Sequence, residues 1–285
     1  MNSISRLVIA ALVLGAAFAA WTWWRQHTRV PVATSVTLPI APATSAPPPP
    51  PPAVIPPRIR FPIDPAVAPA RSDLPAPDDA DAYLKSVLTD LLGRKSVASF
   101  FVLDGLARRF VATINNLATD NAAADLWPVR PTAGRFRTED SDGGRTISRD
   151  NGDRYTPFVR FVEAVDTGRL VGLYLRVYPL LQHAYEEIGE PGKYFNDRVI
   201  ELIDNLLATP NVARPIKIKR AAVEGAPPGA NGSGLYVFED PQLEALSSGQ
   251  KILLRVGQEN ATKLKAKLVD IRQRIVGGGT MRPGN

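Results

Sequence analysis

Three carboxylates, Asp197, Glu201 and Asp204, follow one another at intervals of four and three residues, the spacing that stacks side chains on one helix face. Paired Asp and Glu side chains can run acid–base chemistry on sugars with no metal and no thiol, so this stripe is the first place to look for catalysis. Phe195, Val199, Leu202, Ile203 and Leu206 recur on the opposite face. An amphipathic helix with a solvated acidic side explains both sets together. The flanking residues give no sign of a carboxyl held protonated, and Glu186 and Glu187 read as solvated residues closing another helix. No residue is assigned a catalytic role.

The other reactive side chains narrow the chemistry further. The chain has 285 residues, two histidines and no cysteine. Thiolate nucleophiles, disulfides and sulfur-based zinc sites are therefore excluded. His183 is the only histidine in the foldable region, which rules out a multi-histidine metal centre there, and no Gly-x-Ser-x-Gly turn exists to build a triad around it. It reads as a surface or interface histidine. Asp140-Ser141-Asp142 opens like a calcium loop, but Arg145 stands where that loop needs glycine and Asn151 where it needs a bidentate glutamate. A hairpin turn fits better. There is no phosphate-binding Gly-x-x-x-x-Gly-Lys-Ser/Thr run. No metal and no cofactor is expected.

Basic residues crowd the last helical stretch: Lys263, Lys265, Lys267, Arg272 and Arg274 flank an apolar seam of Ala261, Leu264, Leu268, Ile271 and Ile275. Ordinary amphipathic packing with snorkelling lysines accounts for the pattern. The competing reading is an anion-binding surface for lipid headgroups or cell-wall polymer, with Lys263, Lys267 and Arg274 as its candidate residues. The formal charge of +6, from 34 Lys and Arg against 28 Asp and Glu, suggests nucleic acid only until its distribution is considered. Six basic residues and two acidic ones lie before residue 78, which leaves the foldable part near neutral. No nucleic-acid partner is expected.

These groups must be positioned by a mostly helical domain over residues 78–276. Asp78, Asp79 and Asp81 ahead of Tyr83, Leu84, Val87, Leu88, Leu91 and Leu92 predict a helix that Gly93 ends. A second stretch over 97–117 is open to a break at Asp104-Gly105. Alternation around Asp140–Gly144 predicts one hairpin, and residues 215–220 with 234–239 predict another. Helices are expected over 157–176, 179–188, 194–207 and 241–276, the last broken near Gly257, with a frayed tail at 277–285. The expected fold class is mainly α: a single multi-helix domain with one or two small β-hairpins.

Ahead of that domain, residues 7–24 carry no charge and approach the ~30 Å of a bilayer core at ~1.5 Å per residue. Leu7 and Leu14 lie within this stretch, and Trp21, Trp23 and Trp24 close it at the depth that indole rings favour. Residues 1–29 are thus expected to form a single-pass anchor in the lipid bilayer. A cleavable signal peptide is the alternative, with Arg6 as its basic start and Ala17-Phe18-Ala19 as its cleavage site. The flanking charges leave orientation open. Residues 30–77 alternate Pro with Ala, Val, Thr and Ser and include six consecutive prolines at 47–52. Such a stretch forms neither helix nor sheet and is expected to be a disordered, semi-rigid spacer.

Four runs also resemble a known family: residues 104–117 (DGLARRFVATINNL), 178–189 (YPLLQHAYEEIG), 194–198 (YFNDR) and 243–251 (LEALSSGQK). Together they are similar to the bacterial family called domain of unknown function 3014. The likeness covers residues 79–275 and implies a proteobacterial inner-membrane protein with its domain in the periplasm. It implies no activity. The expected function is a membrane-anchored, non-enzymatic interaction or scaffold module with an envelope protein partner. A carboxylate-dependent envelope hydrolase and a polyanion-binding or cell-wall-binding module are the alternatives.

Overall fold

A computed structural model describes residues 58–64, 74–76, 79–120, 122–141, 143–221 and 236–277. The expected anchor, most of the expected spacer and the tail beyond residue 277 lie outside these residues. Among the described residues no helix is long and apolar enough to cross a membrane.

The domain is mainly helical with one small antiparallel sheet. Helix α1 (Ala80–Leu92) runs into α2 (Arg94–Phe100) through Gly93, whose φ of 81° is a conformation that side-chain-bearing residues rarely adopt. An extended link follows, in which Phe101 bridges to Val129, and α3 (Leu106–Leu117) starts after Gly105. The break open at Asp104-Gly105 is therefore present. Next come α4 (Thr156–Ala164), α5 (Thr167–Glu187) and α6 (Phe195–Leu207). The C-terminal part holds α7 (Pro241–Glu244), α8 (Ser248–Arg255) and α9 (Gln258–Val276).

Helix α5 is the hub. Its Val171, Leu175, Tyr178, Leu181 and Tyr185 are buried against Val111 of α3, Phe195, Ile200 and Ile203 of α6, and Ile275 of α9. That burial corrects one sequence expectation. A helix end was expected at Arg176 and a new start at Pro179, but Pro179 lies inside α5 and the true break falls at Val165-Asp166. An interior proline costs roughly 3 kcal/mol, whereas each of the large side chains buried around it stabilises by about 1.5–3 kcal/mol. Packing outweighs propensity. At the real boundary the Asp166 carboxylate accepts the Arg169 N–H at 2.6 Å and caps α5.

The two expected hairpins form, and they join. Strand β1 (Thr138–Ser141) pairs with β2 (Gly144–Ile147), and β3 (Lys217–Arg220) pairs with β4 (Tyr236–Phe238). Between them, Arg145 faces Ile218 and Thr146 faces Lys217, which gives an antiparallel sheet in the order β1-β2-β3-β4. Ile147, Ile216, Ile218 and Phe238 bury its inner face against Leu243 of α7 and Leu254 of α8. The C-terminal helical stretch breaks at Gly257 as expected and also before Ser247. There the Ser247 hydroxyl accepts the Gln250 N–H while the Gln250 side chain accepts the Ser247 N–H.

Candidate functional site

The first turn of α6 and the residue before it form a clamp on the chain's own residues 60–63. The Asp197 carboxylate accepts the Arg60 N–H at 2.9 Å and the Phe61 N–H at 2.7 Å. Asn196 Nδ2 donates to the Phe61 carbonyl at 2.8 Å, and the Tyr194 hydroxyl accepts the Ile63 N–H at 2.9 Å. All four contacts are to main chain. The Phe61 and Ile63 side chains, two positions apart, both pack against the α5–α6 core. A spacer unbroken to residue 77 was expected, yet this piece of it is docked.

Buried polar groups hold the clamp in place. Asn196 is 1% exposed, and its Oδ1 accepts the Tyr174 hydroxyl at 2.8 Å. This contact orients the amide so that Nδ2 faces Phe61. Gln182 does the same for the helix start, since its Oε1 accepts the Tyr178 hydroxyl and the Phe195 N–H, each at 2.8 Å. Burial pushes the Tyr174 and Tyr178 hydroxyls well above the usual tyrosine range, with the neighbouring Tyr194 adding to it. Both therefore stay protonated as donors.

Beside the clamp lies a polar cleft of about 490 Å³, with Arg58, Arg60, Glu190, Lys193, Arg198 and Glu201 on its walls. Several of its charges are paired. Arg198 contacts Glu201 at 3.0 Å, and Arg60 approaches the same carboxylate at 3.8 Å. The hydrogen bond from Lys193, assisted by Asn115, holds Glu190 below the ordinary carboxylate range. A general acid needs the opposite shift. Arg198 also donates to the Asn115 carbonyl, while its buried Nε has no partner. Asn115, Tyr185 and residues 194–198 come from three of the four family-like runs, so those runs meet at this cleft.

The remaining candidates have partners among the described residues. Asp204 takes both Nε and Nη2 of Arg272, at 2.6 and 3.1 Å, and ties α6 to α9. Glu201 and Asp204 are exposed, as a solvated stripe opposite a core face predicts, and Asp197 and Asp204 also serve as anchors. His183 faces Glu187 at 3.3 Å on α5. Lys263 contacts Glu259 at 2.8 Å and Glu163 at 3.9 Å, and Arg274 contacts Asp270 at 2.7 Å. Lys267 donates to the Glu163 and Val165 carbonyls and to the Thr167 hydroxyl, where it closes the C-terminal end of α4. Lys267 thus ties α9 to the junction of α4 and α5, while the Lys263–Glu259 and Arg274–Asp270 pairs lie within α9. In the hairpin, Arg145 bonds Asp140 and Tyr236 and lowers the pKa of both. No group of three or more metal-ligating side chains is assembled among the described residues.

Sequence reasoning missed the docked segment. One signal was present, because Phe61 is the sole aromatic residue of residues 30–77.

Fold and site together define a mainly helical domain whose strongest polar constellation grips a polypeptide main chain. The protein belongs to the family described as "Protein of unknown function (DUF3014)", whose sequence profile matches residues 106–272. No curated protein and no solved structure matches the chain.

Proposed function

We propose that this protein is a non-enzymatic interaction module, held in the bacterial inner membrane by residues 1–29 with its domain in the periplasm, and that the α6 clamp is its recognition element for a polypeptide segment. The observation that carries this reading is the set of main-chain contacts from Tyr194, Asn196 and Asp197 to residues 60–63. Main-chain hydrogen bonds supply affinity with little regard for sequence, and pockets at alternate side chains supply selectivity. Phe61 and Ile63 fill those pockets here, so a preferred partner segment carries an aromatic residue, then Pro or another extended residue, then an aliphatic one. The alternative of an envelope hydrolase loses its best carboxylate, because Asp197 already accepts two N–H groups. A polyanion-binding surface loses Lys263, Lys267 and Arg274 to internal partners.

The test places a photoreactive residue at Glu201, at the cleft, in the full chain in intact cells, and reads protease accessibility of spheroplasts in the same sample. The expected result is a domain cleaved from outside and a crosslinked partner segment that a synthetic peptide of residues 58–64 displaces. Crosslinks that the peptide leaves unchanged would remove the clamp from the interaction. A domain protected from external protease would overturn the periplasmic placement.

A further inference from the structure

A small cavity of about 30 Å³ lies where the chain leaving α6 meets α8 and α9, and it shares no lining residue with the cleft. Arg214 and Lys265 bring two cations to its lining. Leu253 and Leu254 of α8 are buried, whereas Asn211 and Gln258 are exposed, so the cavity has an apolar floor and a polar rim in water.

The two cations lack a counter-charge. No carboxylate lines the cavity, and among the described residues both side chains bond only main-chain oxygens. Arg214 Nη2 donates to the Leu254 carbonyl at 3.0 Å, and Lys265 Nζ to the Thr209 carbonyl at 2.6 Å. Two of the three ammonium N–H groups of Lys265 are left over. The buried Nε–H of Arg214 has no acceptor. Burial moves the Arg214 guanidinium below the usual arginine range, and no neighbouring charge offsets it. Lys251 and Arg198, which are also largely buried, instead pair with Glu244 and Glu201. A cation taken partly out of water gains most from an anion that it can bond directly.

Donor placement and size decide which anion fits. Arg214 precedes β3 and Lys265 stands on α9, so an acceptor shared by both needs lone pairs in more than one direction. An oxyanion offers them on separate oxygens, and Arg and Lys are the side chains that favour phosphate. The volume holds about two water-sized groups. That matches two oxygens of one such anion, with its remainder at the rim beside the Asn211 and Gln258 amides.

We propose that Arg214 and Lys265 form a site for a single phosphate-type oxyanion, taken as the free ion or as the terminal phosphate of a phosphomonoester. The site goes beyond the polypeptide clamp and stands without it.

The experiment is equilibrium dialysis of the full chain, in non-ionic detergent at fixed ionic strength, against radiolabelled inorganic phosphate. Saturable binding of one phosphate per chain is expected. Lys265→Met, and independently Arg214→Met, should each weaken it about tenfold while helical circular dichroism stays unchanged. Unlabelled sulfate should compete, and chloride at the same concentration should not. Glycerol 3-phosphate separates the sources: tighter competition than inorganic phosphate assigns a monoester, and weaker competition assigns the free ion. No saturable binding, or binding unchanged in either folded variant, would overturn the site. Chloride competing as well as sulfate would overturn the oxyanion.

Discussion

Asp197 accepts the Phe61 N–H at 2.7 Å across 136 residues of chain. This bond, with those to Arg60 and Ile63, fastens a piece of the proline-rich stretch to α6 and the residue before it. A carboxylate in the first turn of a helix also interacts favourably with the positive end of that helix's dipole.

Replacing Asp197 by Ala leaves the Arg60 and Phe61 N–H groups without their acceptor. Water can reach part of the site, so the expected stability loss is about 1–2 kcal/mol. Amide hydrogen exchange should accelerate at Arg60, Phe61 and Ile63 well before it changes in α5. Unaltered protection at those three amides would show that the clamp does not hold the segment.

Asn151 is fully buried and joins three elements: its Oδ1 accepts the Arg137 N–H and an Arg154 guanidinium proton, and its Nδ2 donates to the Arg255 carbonyl at 2.9 Å. Asn151→Ala orphans at least two main-chain groups. Urea unfolding should report a loss of roughly 2–4 kcal/mol, and a loss under 1 kcal/mol would mean that water substitutes freely.

Gly249 has an ordinary backbone, so its requirement is steric. A Cβ there would meet Leu206 Cδ2 at 2.6 Å and the Leu117 carbonyl oxygen at 3.0 Å. The helix start cannot move aside, because the Ser248 N–H is bonded to the Thr119 carbonyl at 2.7 Å. Gly249→Ala is expected to destabilise by about 1–3 kcal/mol, measured by thermal or denaturant unfolding.

Alkaline titration separates the tyrosines. Folded-state values of Tyr174 and Tyr178 lie above their unfolded value of 10.0, so their contribution is complete below that pH and is lost as pH rises beyond it. Tyr236, lowered chiefly by its hydrogen bond from Arg145, should ionise first in absorbance at tyrosinate wavelengths. Two tyrosinates should appear only with the loss of helical circular dichroism. Seven tyrosines titrating together in the folded protein would contradict the burial described.

On the acid side the sign reverses. Glu190, lowered by Lys193, and Asp270, lowered by Thr167 and Arg274, sit below their ordinary values of 4.5 and 3.8. Their contribution is present above those values and is lost as pH falls through the folded-state ones. Melting temperature is expected to decline below about pH 4.5, and Glu190→Gln should flatten part of that decline.

Much of this architecture was readable residue by residue. Apolar spacing of three and four marked α1, α3, α6 and α9, Gly93 and Gly257 marked ends, and the Asp140–Gly144 turn marked a hairpin. Pro179 misled because propensity is local while the burial of Leu175, Tyr178 and Leu181 is not. Asp197 was found as a residue but misread in role, since nothing near it in sequence announces Phe61.

By itself, then, the sequence determined the class of the domain, the positions of most helices and turns, and the absence of thiol chemistry, all of which depend on residue type and short spacing. Tertiary structure decided that two hairpins share one sheet through Arg145 and Ile218, that Asp197 and Asp204 hold main chain and a neighbouring helix, and that Arg214 and Lys265 line one cavity. Those relationships join residues many positions apart, and their energies come from burial and hydrogen bonding that exist only once the helices have packed.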